Sequence, residues 1–289
     1  MRILVTGREG QVARSLAERA PAGYEIIFAG RPELDLAAPE TVGCVVARTS
    51  PDLVVNAAAY TAVDQAEDEL QLAHAVNGEA PGIVARAARE VAAPIIHVST
   101  DYVFDGRLDR PYVEDDPVGP IGAYGRSKLV GEEAVRAAGD GFVILRTAWV
   151  YSPFGSNFVK TMLRLAEGRD SLTVVDDQLG NPTSALDIAD GIFAVAAALR
   201  RGGEGLNGTY HLAGTGSTDW AGFARAIFEA SDRYGGPSAE VEGIPTSQWP
   251  TKASRPANSR LDSSKFANTF GYTAPRWTTS VDEVVRRLV

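Results

Sequence analysis

ILVTGREGQVARSLAERA, residues 3–20, contains a short apolar run, a glycine turn and a helical pattern in that order. This order decides the fold, because Gly7 and Gly10 let the backbone turn sharply between a strand and a helix and approach a pyrophosphate. The exposed N–H groups and the dipole at the start of the helix favour the negative charge of such a ligand. The spacing is G-x-x-G-x-x-A, with Ala13 at the third small position, so a structural turn without a ligand is the alternative interpretation.

Short apolar runs recur through the first half of the chain and alternate with helical patterns. The runs are residues 3–5, 25–28, 53–55, 95–98 and 142–145. Runs that are apolar on both faces are typical of a parallel sheet covered by helices. The pattern therefore predicts an α/β fold with a doubly wound parallel sheet of the Rossmann type.

The pattern changes after Trp149, where Ser152, Pro153 and Gly155 interrupt the alternation. A further helix is predicted after Ser184 and a further strand at 210–212. We expect a nucleotide-binding domain over residues 1–150, rejoined by about 184–214. A smaller, largely C-terminal substrate lobe is then formed by residues 151–183 and 215–289.

The composition argues against several classes of protein. A net charge of −9 and a pI near 5.0 do not fit a phosphate-backbone footprint, so we expect no nucleic-acid partner. No run of 18 apolar residues occurs and the MRILVTG start has no signal-peptide pattern, so we expect neither a membrane span nor export. The single cysteine, Cys44, fits a reducing cytoplasm, and we expect it to be buried. His97 and His211 lie within apolar runs, which predict core positions rather than a metal site.

Tyr124 and Lys128 in the stretch AYGRSKL, residues 123–129, lie four residues apart, which places them on one face of a helix. Such a pair also occurs by chance on solvated helices. Thr100, however, ends a predicted strand, and ligands bind at the carboxyl ends of strands in α/β sheets. Reduction of a ketone needs a proton donor, and a nearby ammonium lowers the pKa of a phenol from its usual value of about 10. With the Thr100 hydroxyl as a hydrogen-bond donor to the ketone, the three residues form a candidate catalytic set.

Arg31 follows the second predicted strand, where an acidic residue favours a free ribose 2′-OH and an arginine favours a 2′-phosphate. The sequence therefore predicts NADPH as the cofactor, with NADH use and a solvated loop arginine as the alternatives. The ends of the second and third strands place more residues beside the riboses and the adenine: Asp35, Leu36, Ala57, Ala58 and Ala59.

Eight motifs occur in the order TGREGQV, VVNAAAYTAVDQAE, HVSTDYVFDG, YGRSK, RTAWVY, NFVKTML, DDQLGNPT and RPANSRLD. Together they resemble those of the dTDP-4-dehydrorhamnose reductases, a family of extended short-chain dehydrogenase/reductases, from residue 1 to near the C-terminus. The glycine loop and the Tyr-x-x-x-Lys pair specify only the superfamily, whereas the joint set is much narrower. The resemblance implies hydride transfer from NADPH or NADH to the C4 ketone of dTDP-4-dehydro-L-rhamnose, giving dTDP-L-rhamnose.

The resemblance also implies a role for each matching residue. Tyr124 corresponds to the proton donor, Lys128 tunes it and binds the nicotinamide ribose, and Thr100 polarises the ketone. The pyrophosphate contacts correspond to Gly10, Gln11 and Val12, the adenine side to Asp35 and Leu36, and the sugar pocket to Val103, Phe104 and Trp149.

Three further polar residues each have two interpretations. Arg255 and Arg260, in the stretch KASRPANSR, either clamp the diphosphate of the substrate or belong to a solvated loop. Asn157 is either a helix cap or a substrate contact.

The family binds magnesium through glutamates at a dimer interface, but two aligned positions hold Ser15 and Leu186. Because magnesium needs oxygen ligands, we expect no such metal site, and a homodimer would form without a metal bridge.

Other functions share part of this pattern. A reductase of another dTDP-4-keto-6-deoxysugar, in antibiotic or surface-polysaccharide biosynthesis, would carry nearly the same motifs. A dehydratase resembling this family would have an Asp-Glu pair after the threonine, whereas Thr100 is followed by Asp101 and Tyr102. A non-catalytic NADP-binding regulatory subunit is the alternative of a different class, and the intact Thr100, Tyr124 and Lys128 argue against it.

Overall fold

The computed structural model describes residues 1–203 and 205–289. Strands and helices are labelled in chain order. They are β1 (Arg2–Thr6), α1 (Gln11–Arg19), β2 (Glu25–Ala29), α2 (Val42–Thr49), β3 (Leu53–Asn56), α3 (Leu70–His74), α4 (Ala80–Glu90), β4 (Ile95–Thr100), α5 (Ala123–Ala137), β5 (Phe142–Thr147), β6 (Val150–Tyr151), α6 (Phe158–Ala166), β7 (Ser171–Val175), β8 (Leu179–Gly180), β9 (Thr183–Ser184), α7 (Ala185–Arg200), β10 (Gly208–His211), β11 (Thr218–Asp219), α8 (Trp220–Arg233), β12 (Glu240–Ile244), α9 (Ser264–Phe270) and α10 (Trp277–Arg286).

A six-stranded parallel sheet forms the centre, in the order β10-β5-β4-β3-β1-β2. The chain leaves β1 in one direction to form β2, and returns to form β3 on the other side of β1. This reversal of strand order opens a crevice beyond the carboxyl ends of β1 and β3, where α/β sheets bind ligands. The predicted doubly wound parallel sheet is confirmed.

Helices cover both faces of the sheet, as the apolar strands require. Leu16 of α1, Ile192 of α7 and Phe266 of α9 pack in the core on one face. Val84 of α4 and Val135 of α5 pack in the core on the other face. Each fully buried aliphatic side chain of this kind contributes about 1.5–3 kcal/mol relative to leaving it exposed. Both faces are therefore closed, and the open edge at the carboxyl ends of the strands is left for a ligand.

A second hydrophobic cluster holds the smaller lobe together. It joins β6, α6, β7, α8 and α10 through side chains that include Tyr151, Val159, Phe223 and Val281. β12 pairs with β7 in parallel, so residues 240–244 extend this lobe. Part of the C-terminal region belongs elsewhere, since Phe266 of α9 packs on the central sheet.

The structure corrects one expectation about the interior and confirms another. Cys44 is exposed rather than buried, because it lies on the solvent side of the short helix α2. His97 and His211 are fully buried, as predicted. Among the described residues, no helix is both long enough and apolar enough to cross a membrane.

Candidate active site

A large cleft of 1210 Å³ lies at the carboxyl ends of the central strands. Thr6 of β1, Ala57 after β3, Thr100 of β4 and Thr147 of β5 all line it. Drug-sized ligands occupy pockets of about 300–1,000 Å³, so this cleft has room for more than one such molecule. It therefore suits a dinucleotide together with a second substrate.

The glycine turn forms the floor of one end of the cleft. Gly7 has a φ of +88°, which side chains rarely adopt, and its N–H donates to Ala29 O at 2.7 Å. A Cβ added at Gly7 would lie 3.4 Å from Cβ of Ala58, so the turn packs closely on the chain after β3. Gly10 is the N-cap of α1 and lines the cleft, and in the described chain no side chain caps this helix. The first N–H groups of α1 are thus available to a phosphate, which fits the predicted pyrophosphate site.

Hydrogen bonds from Thr6 hold the two strand ends at the reversal point together. The Thr6 hydroxyl donates to Asn56 Oδ1 at 2.7 Å, and it accepts from the N–H groups of Ala57 and Ala58 at 3.1 Å each. These bonds fix the chain after β3 against the glycine turn. They bring Ala57, Ala58 and Ala59 into the cleft lining, as the sequence predicts.

Thr100, Tyr124 and Lys128 converge on the same cleft. Thr100 is the last residue of β4, and Tyr124 and Lys128 lie one turn apart on α5. Gly125 makes this arrangement possible, because a Cβ there would be only 2.2 Å from the carbonyl oxygen of Tyr102. The absent side chain lets α5 approach the turn after β4, so the phenol of Tyr124 lies beside the strand end that carries Thr100.

The electrostatics of this set differ from the expectation in one respect. Burial raises the pKa of Tyr124 to about 12, with a hydrogen bond from Thr100 acting in the opposite direction. The expected lowering of this pKa by Lys128 is not seen, and the Lys128 ammonium instead donates to Val98 O at 2.7 Å. Burial also lowers the pKa of Lys128 to about 8. The three residues thus line one cleft, as expected, but in this structure burial is the largest influence on the pKa of the phenol.

A buried ion network lies behind the catalytic set. Glu132, two turns after Tyr124 on α5, is fully buried and accepts from Ser99 Oγ at 2.6 Å. Both of its oxygens accept from Arg146 of β5, at 2.9 and 2.8 Å, and Arg136 adds a third ion-pair contact at 2.8 Å. The carboxylate therefore ties α5 to the strands that end at the cleft.

At the predicted adenine end, Arg31, Asp35 and Leu36 all line the cleft. Arg31 is exposed, whereas Arg8 forms an ion pair with Glu33. Asp35 accepts from the N–H of Ala37 at 3.0 Å, which holds the loop after β2 in a turn. Arg31 is therefore the better placed of the two arginines to meet a 2′-phosphate.

An aromatic wall forms part of the lining of the cleft. Trp149, Phe158 and Trp220 line it, and the indoles of Trp149 and Trp220 are stacked with ring centroids 3.6 Å apart. Val103 and Phe104 are fully buried in a separate hydrophobic cluster and do not line the cleft. A contact between either residue and a sugar would therefore use the main chain rather than the side chain.

Three predicted polar contacts have structural partners here. Asn157 caps α6, accepting from Lys160 N at 3.2 Å and donating to Gln11 Oε1 at 3.0 Å. Arg255 forms an ion pair with Asp64 at 2.7 Å. Arg260 donates to Asn258 Oδ1 at 2.8 Å and also to a main-chain carbonyl. None of the three predicted residues is among the described residues that line the cleft.

Sequence reasoning missed several residues of the cleft. Phe158 and Trp220 line it beside Trp149, and no periodicity marks them as site residues. Asp101 and Tyr102 also line it, although from the sequence they served only as evidence against a dehydratase. The Thr100 hydroxyl donates to Asp101 Oδ1 at 2.9 Å, and burial raises the pKa of Asp101 to about 7. Asp101 could have been predicted as a cleft residue, because it is a polar residue that directly follows Thr100 at the end of a strand.

Magnesium does not fit the positions where family resemblance places it. Ser15 and Leu186 are both buried and neither carries a carboxylate. One turn further along α1, Arg19 pairs with Asp190 and Glu283 at 3.9 and 2.8 Å, so a guanidinium already neutralises the nearby carboxylates. No group of three or more His, Cys, Asp or Glu side chains suited to a metal occurs within residues 1–203 and 205–289.

Comparison with known proteins identifies the family. The family model described as RmlD substrate binding domain matches residues 1–289. A Sinorhizobium fredii protein named dTDP-4-dehydrorhamnose reductase is 48% identical over 290 residues, which cover 100% of this chain and 97% of that relative. The chain belongs to the dTDP-4-dehydrorhamnose reductase family.

Solved structures of the dTDP-4-dehydrorhamnose reductase family have the same architecture. The enzyme from Clostridium acetobutylicum superposes with a TM-score of 0.92 at 37% identity, covering 100% of this chain and 99% of that chain. The enzyme from Bacillus anthracis, solved in complex with NADP, gives a TM-score of 0.90 at 34% identity, with 98% of each chain covered. The family resemblance inferred from the eight motifs is confirmed.

Proposed function

We propose that this protein reduces the C4 ketone of dTDP-4-dehydro-L-rhamnose to dTDP-L-rhamnose, with NADPH as the reductant. One observation carries the proposal. Thr100, Tyr124 and Lys128 line the same cleft as the glycine turn, in a chain that aligns from end to end with relatives named for this reaction. The cleft therefore combines a cofactor site with a group that can protonate a ketone.

NADPH would supply a hydride to the ketone carbon. The free N–H groups at the start of α1 and the turn at Gly7 and Gly10 would hold its pyrophosphate. Arg31 would pair with the 2′-phosphate, with NADH as the weaker alternative. Ala57, Ala58 and Ala59 offer a shallow apolar surface beside the riboses, and Asp35 and Leu36 border the adenine.

Tyr124 would donate its phenolic proton to the ketone oxygen as negative charge develops there. Its pKa of about 12 keeps the phenol protonated at neutral pH, so the proton is present when the substrate arrives. The Lys128 ammonium would stabilise the resulting phenolate, and would move from Val98 O toward the ribose and the phenol to do so. The Thr100 hydroxyl donates to Asp101 in this structure, and it would turn from Asp101 to donate a hydrogen bond to the same ketone oxygen.

The aromatic wall would receive the sugar. An indole face suits the C–H groups of a deoxyhexose, and an indole N–H offers one donor. Under this proposal, residues 1–150 and about 184–214 bind the cofactor, and residues 151–183 and 215–289 form the substrate lobe, apart from α9, which packs on the central sheet. Arg255 and Arg260 remain candidates for the diphosphate only if they leave their present partners, Asp64 and Asn258.

The same site would also accept another dTDP-linked 4-keto-6-deoxysugar, and the aromatic wall would decide between such substrates. A non-catalytic NADP-binding subunit is disfavoured, since the complete set of Thr100, Tyr124 and Lys128 lines the cleft. We propose that the protein is cytoplasmic. We also propose that no magnesium ion bridges the two subunits of any homodimer it forms.

The proposal is tested with a panel of nucleotide-linked 4-keto sugars. NADPH oxidation is followed by absorbance, and the configuration at C4 of each product is determined by NMR. We expect the highest kcat/KM with dTDP-4-dehydro-L-rhamnose and a product with the rhamno configuration. A clear preference for another 4-keto sugar would assign that substrate instead, and no oxidation with any of them would contradict reductase activity.

A further inference from the structure

Trp149 and Trp220 form a stacked pair at the wall of the cleft. Their ring centroids are 3.6 Å apart and their planes differ by 8°. Both indoles are half-buried and both line the cleft. An indole pair in the core would be closed on all sides, whereas both indoles of this pair line the cleft.

The backbone of Trp149 is strained. Its φ of +45° lies in the left-handed region, which a bulky side chain rarely adopts. Residues in such a conformation persist only where the surroundings determine them, and they concentrate at ligand sites. The direction in which the Trp149 indole points is therefore set by its neighbours rather than by its own backbone preference.

Gly180 is one of these neighbours. A Cβ at this position would lie 2.3 Å from Cε2 and 2.5 Å from Nε1 of Trp149, so the indole packs directly against the glycine. Any side chain at this position would displace the indole. Gly180 thus sets the height of the Trp149 ring above the strand β8.

Trp220 is held in place by the adjacent strand. β11 pairs with β8 in antiparallel register, with Thr218 opposite Gly180, and α8 begins at Trp220 immediately afterwards. The Trp220 Nε1–H donates to Gln178 Oε1 at 3.2 Å, which fixes the plane of this indole. Trp149 is therefore confined by its close contact with Gly180 and by the stacked indole of Trp220.

The two indoles differ in their use of the N–H group. The N–H of Trp220 is used by Gln178, whereas Nε1 of Trp149 has no hydrogen bond to any described residue. A polar group in a half-buried aromatic wall that has no protein partner is suited to a ligand.

We propose that Trp220 and Gly180 are positioning residues that hold the indole of Trp149 so that its N–H and its free surface bind the sugar ring of a nucleotide-linked 6-deoxyhexose. This inference rests on the proposed function. Trp149 is the residue that touches the sugar, and Trp220 acts through it. Under this proposal the wall recognises the sugar, whereas the glycine turn and Arg31 hold NADPH.

The test compares Trp220→Ala, Trp220→Phe and Gly180→Ala with wild type, and uses Trp249→Phe as the matched control. Trp249 is 55% exposed and does not line the cleft. We expect Trp220→Ala to raise the KM for the sugar nucleotide roughly two- to twelvefold, the range that corresponds to one aromatic pair. We expect Trp220→Phe to restore most of the affinity, because a smaller ring can still stack on Trp149. Gly180→Ala should behave like Trp220→Ala, and the KM for NADPH should stay unchanged in every variant.

Near-ultraviolet circular dichroism provides a readout that does not depend on turnover. Two indoles stacked at 3.6 Å should give a coupled signal that Trp220→Phe and Trp220→Ala remove and Trp249→Phe preserves. In wild type, dTDP-L-rhamnose should change this signal, whereas NADPH alone should not. Melting temperatures measured on the same samples show whether each variant is folded.

The outcomes separate the two proposals. A change of the coupled signal with dTDP-L-rhamnose, but no turnover of any 4-keto sugar by wild type, would support the indole wall and contradict the proposed reaction. Normal turnover with an unchanged sugar KM in folded Trp220→Ala would contradict the positioning role. Equal rises in the KM values for sugar and NADPH would also contradict it, since they would indicate general damage to the cleft.

Discussion

The buried carboxylate of Glu132 provides a quantitative test of how the catalytic helix is held. Its oxygens accept four hydrogen bonds, from Ser99, Arg136 and twice from Arg146, at 2.6–2.9 Å. The side chain of Arg146 is only 3% exposed, whereas that of Arg136 is 36% exposed. Replacing Glu132 with leucine would let Arg136 turn toward water but would leave the Arg146 guanidinium buried without its counter-charge.

We expect Glu132→Leu to lower the free energy of unfolding by about 3–5 kcal/mol, the usual cost of removing one partner of a buried ion pair. Arg146→Met should cost a similar amount, because it leaves the Glu132 carboxylate buried with only Arg136 as its counter-charge. The double variant Glu132→Leu/Arg146→Met removes both charges, and it should be more stable than either single variant. The pairwise coupling energy should therefore be about 3 kcal/mol or more.

Urea unfolding measures these values, with far-ultraviolet circular dichroism and tryptophan fluorescence as two probes whose transitions must coincide. The control is Arg233→Met, since Arg233 forms exposed ion pairs with Glu229 and Asp282 and its loss should cost less than about 1 kcal/mol. Single-variant losses below about 1 kcal/mol, or a double variant whose loss equals the sum of the single losses, would refute the role given to this network.

Three further predictions concern the cleft. Tyr124→Phe should reduce kcat by about 10²–10⁴-fold, the usual contribution of a proton donor, and leave the Kd for NADPH nearly unchanged; near-normal turnover would remove Tyr124 from the mechanism. Arg31→Ala should weaken NADPH binding by about 1 kcal/mol, the scale of an exposed charge contact, and NADH binding by less; equal effects on both cofactors in a titration would make Arg31 a solvated loop residue. Burial raises the pKa of Asp101 from 3.8 to about 7, so wild type loses stability as the pH rises from about 4 to 7. Asp101→Asn does not titrate, and its urea midpoint relative to that of wild type should therefore rise over this pH range and level off above it; a constant difference would show that Asp101 is ionised throughout.

Local sequence patterns were enough to predict the sheet and part of the cleft. The apolar runs that mark β1 to β5 and the glycine turn are short-range signals, because strand burial and a positive φ depend on a few adjacent residues. The four-residue spacing of Tyr124 and Lys128 also predicts their common helix face correctly. Thr100 could be predicted as well, because the carboxyl ends of parallel strands lie at one edge of the sheet and ligands bind there.

The parts that the sequence did not predict depend on contacts between distant segments. Trp220 meets Trp149 only because β8 and β11, which are two residues each, pair and are too short to show any periodicity. Burial raises the pKa of Tyr124, and the Lys128 ammonium donates to Val98 O. The four-residue spacing of Tyr124 and Lys128 predicts neither the burial nor this contact. Val103 follows Thr100 closely, yet the turn after β4 directs its side chain into the core.

Transfer of a labelled hydride tests most directly whether the protein reduces the C4 ketone of the sugar. The protein is incubated with dTDP-4-dehydro-L-rhamnose and with NADPH in which both hydrogens at C4 of the nicotinamide are deuterium, and the product is analysed by NMR and mass spectrometry. We expect dTDP-L-rhamnose with one deuterium at C4 of the sugar and none elsewhere, and we expect Tyr124→Phe to yield almost none of this product. Recovery of unreduced substrate with intact NADPH would contradict the claim that this cleft is a ketoreductase site.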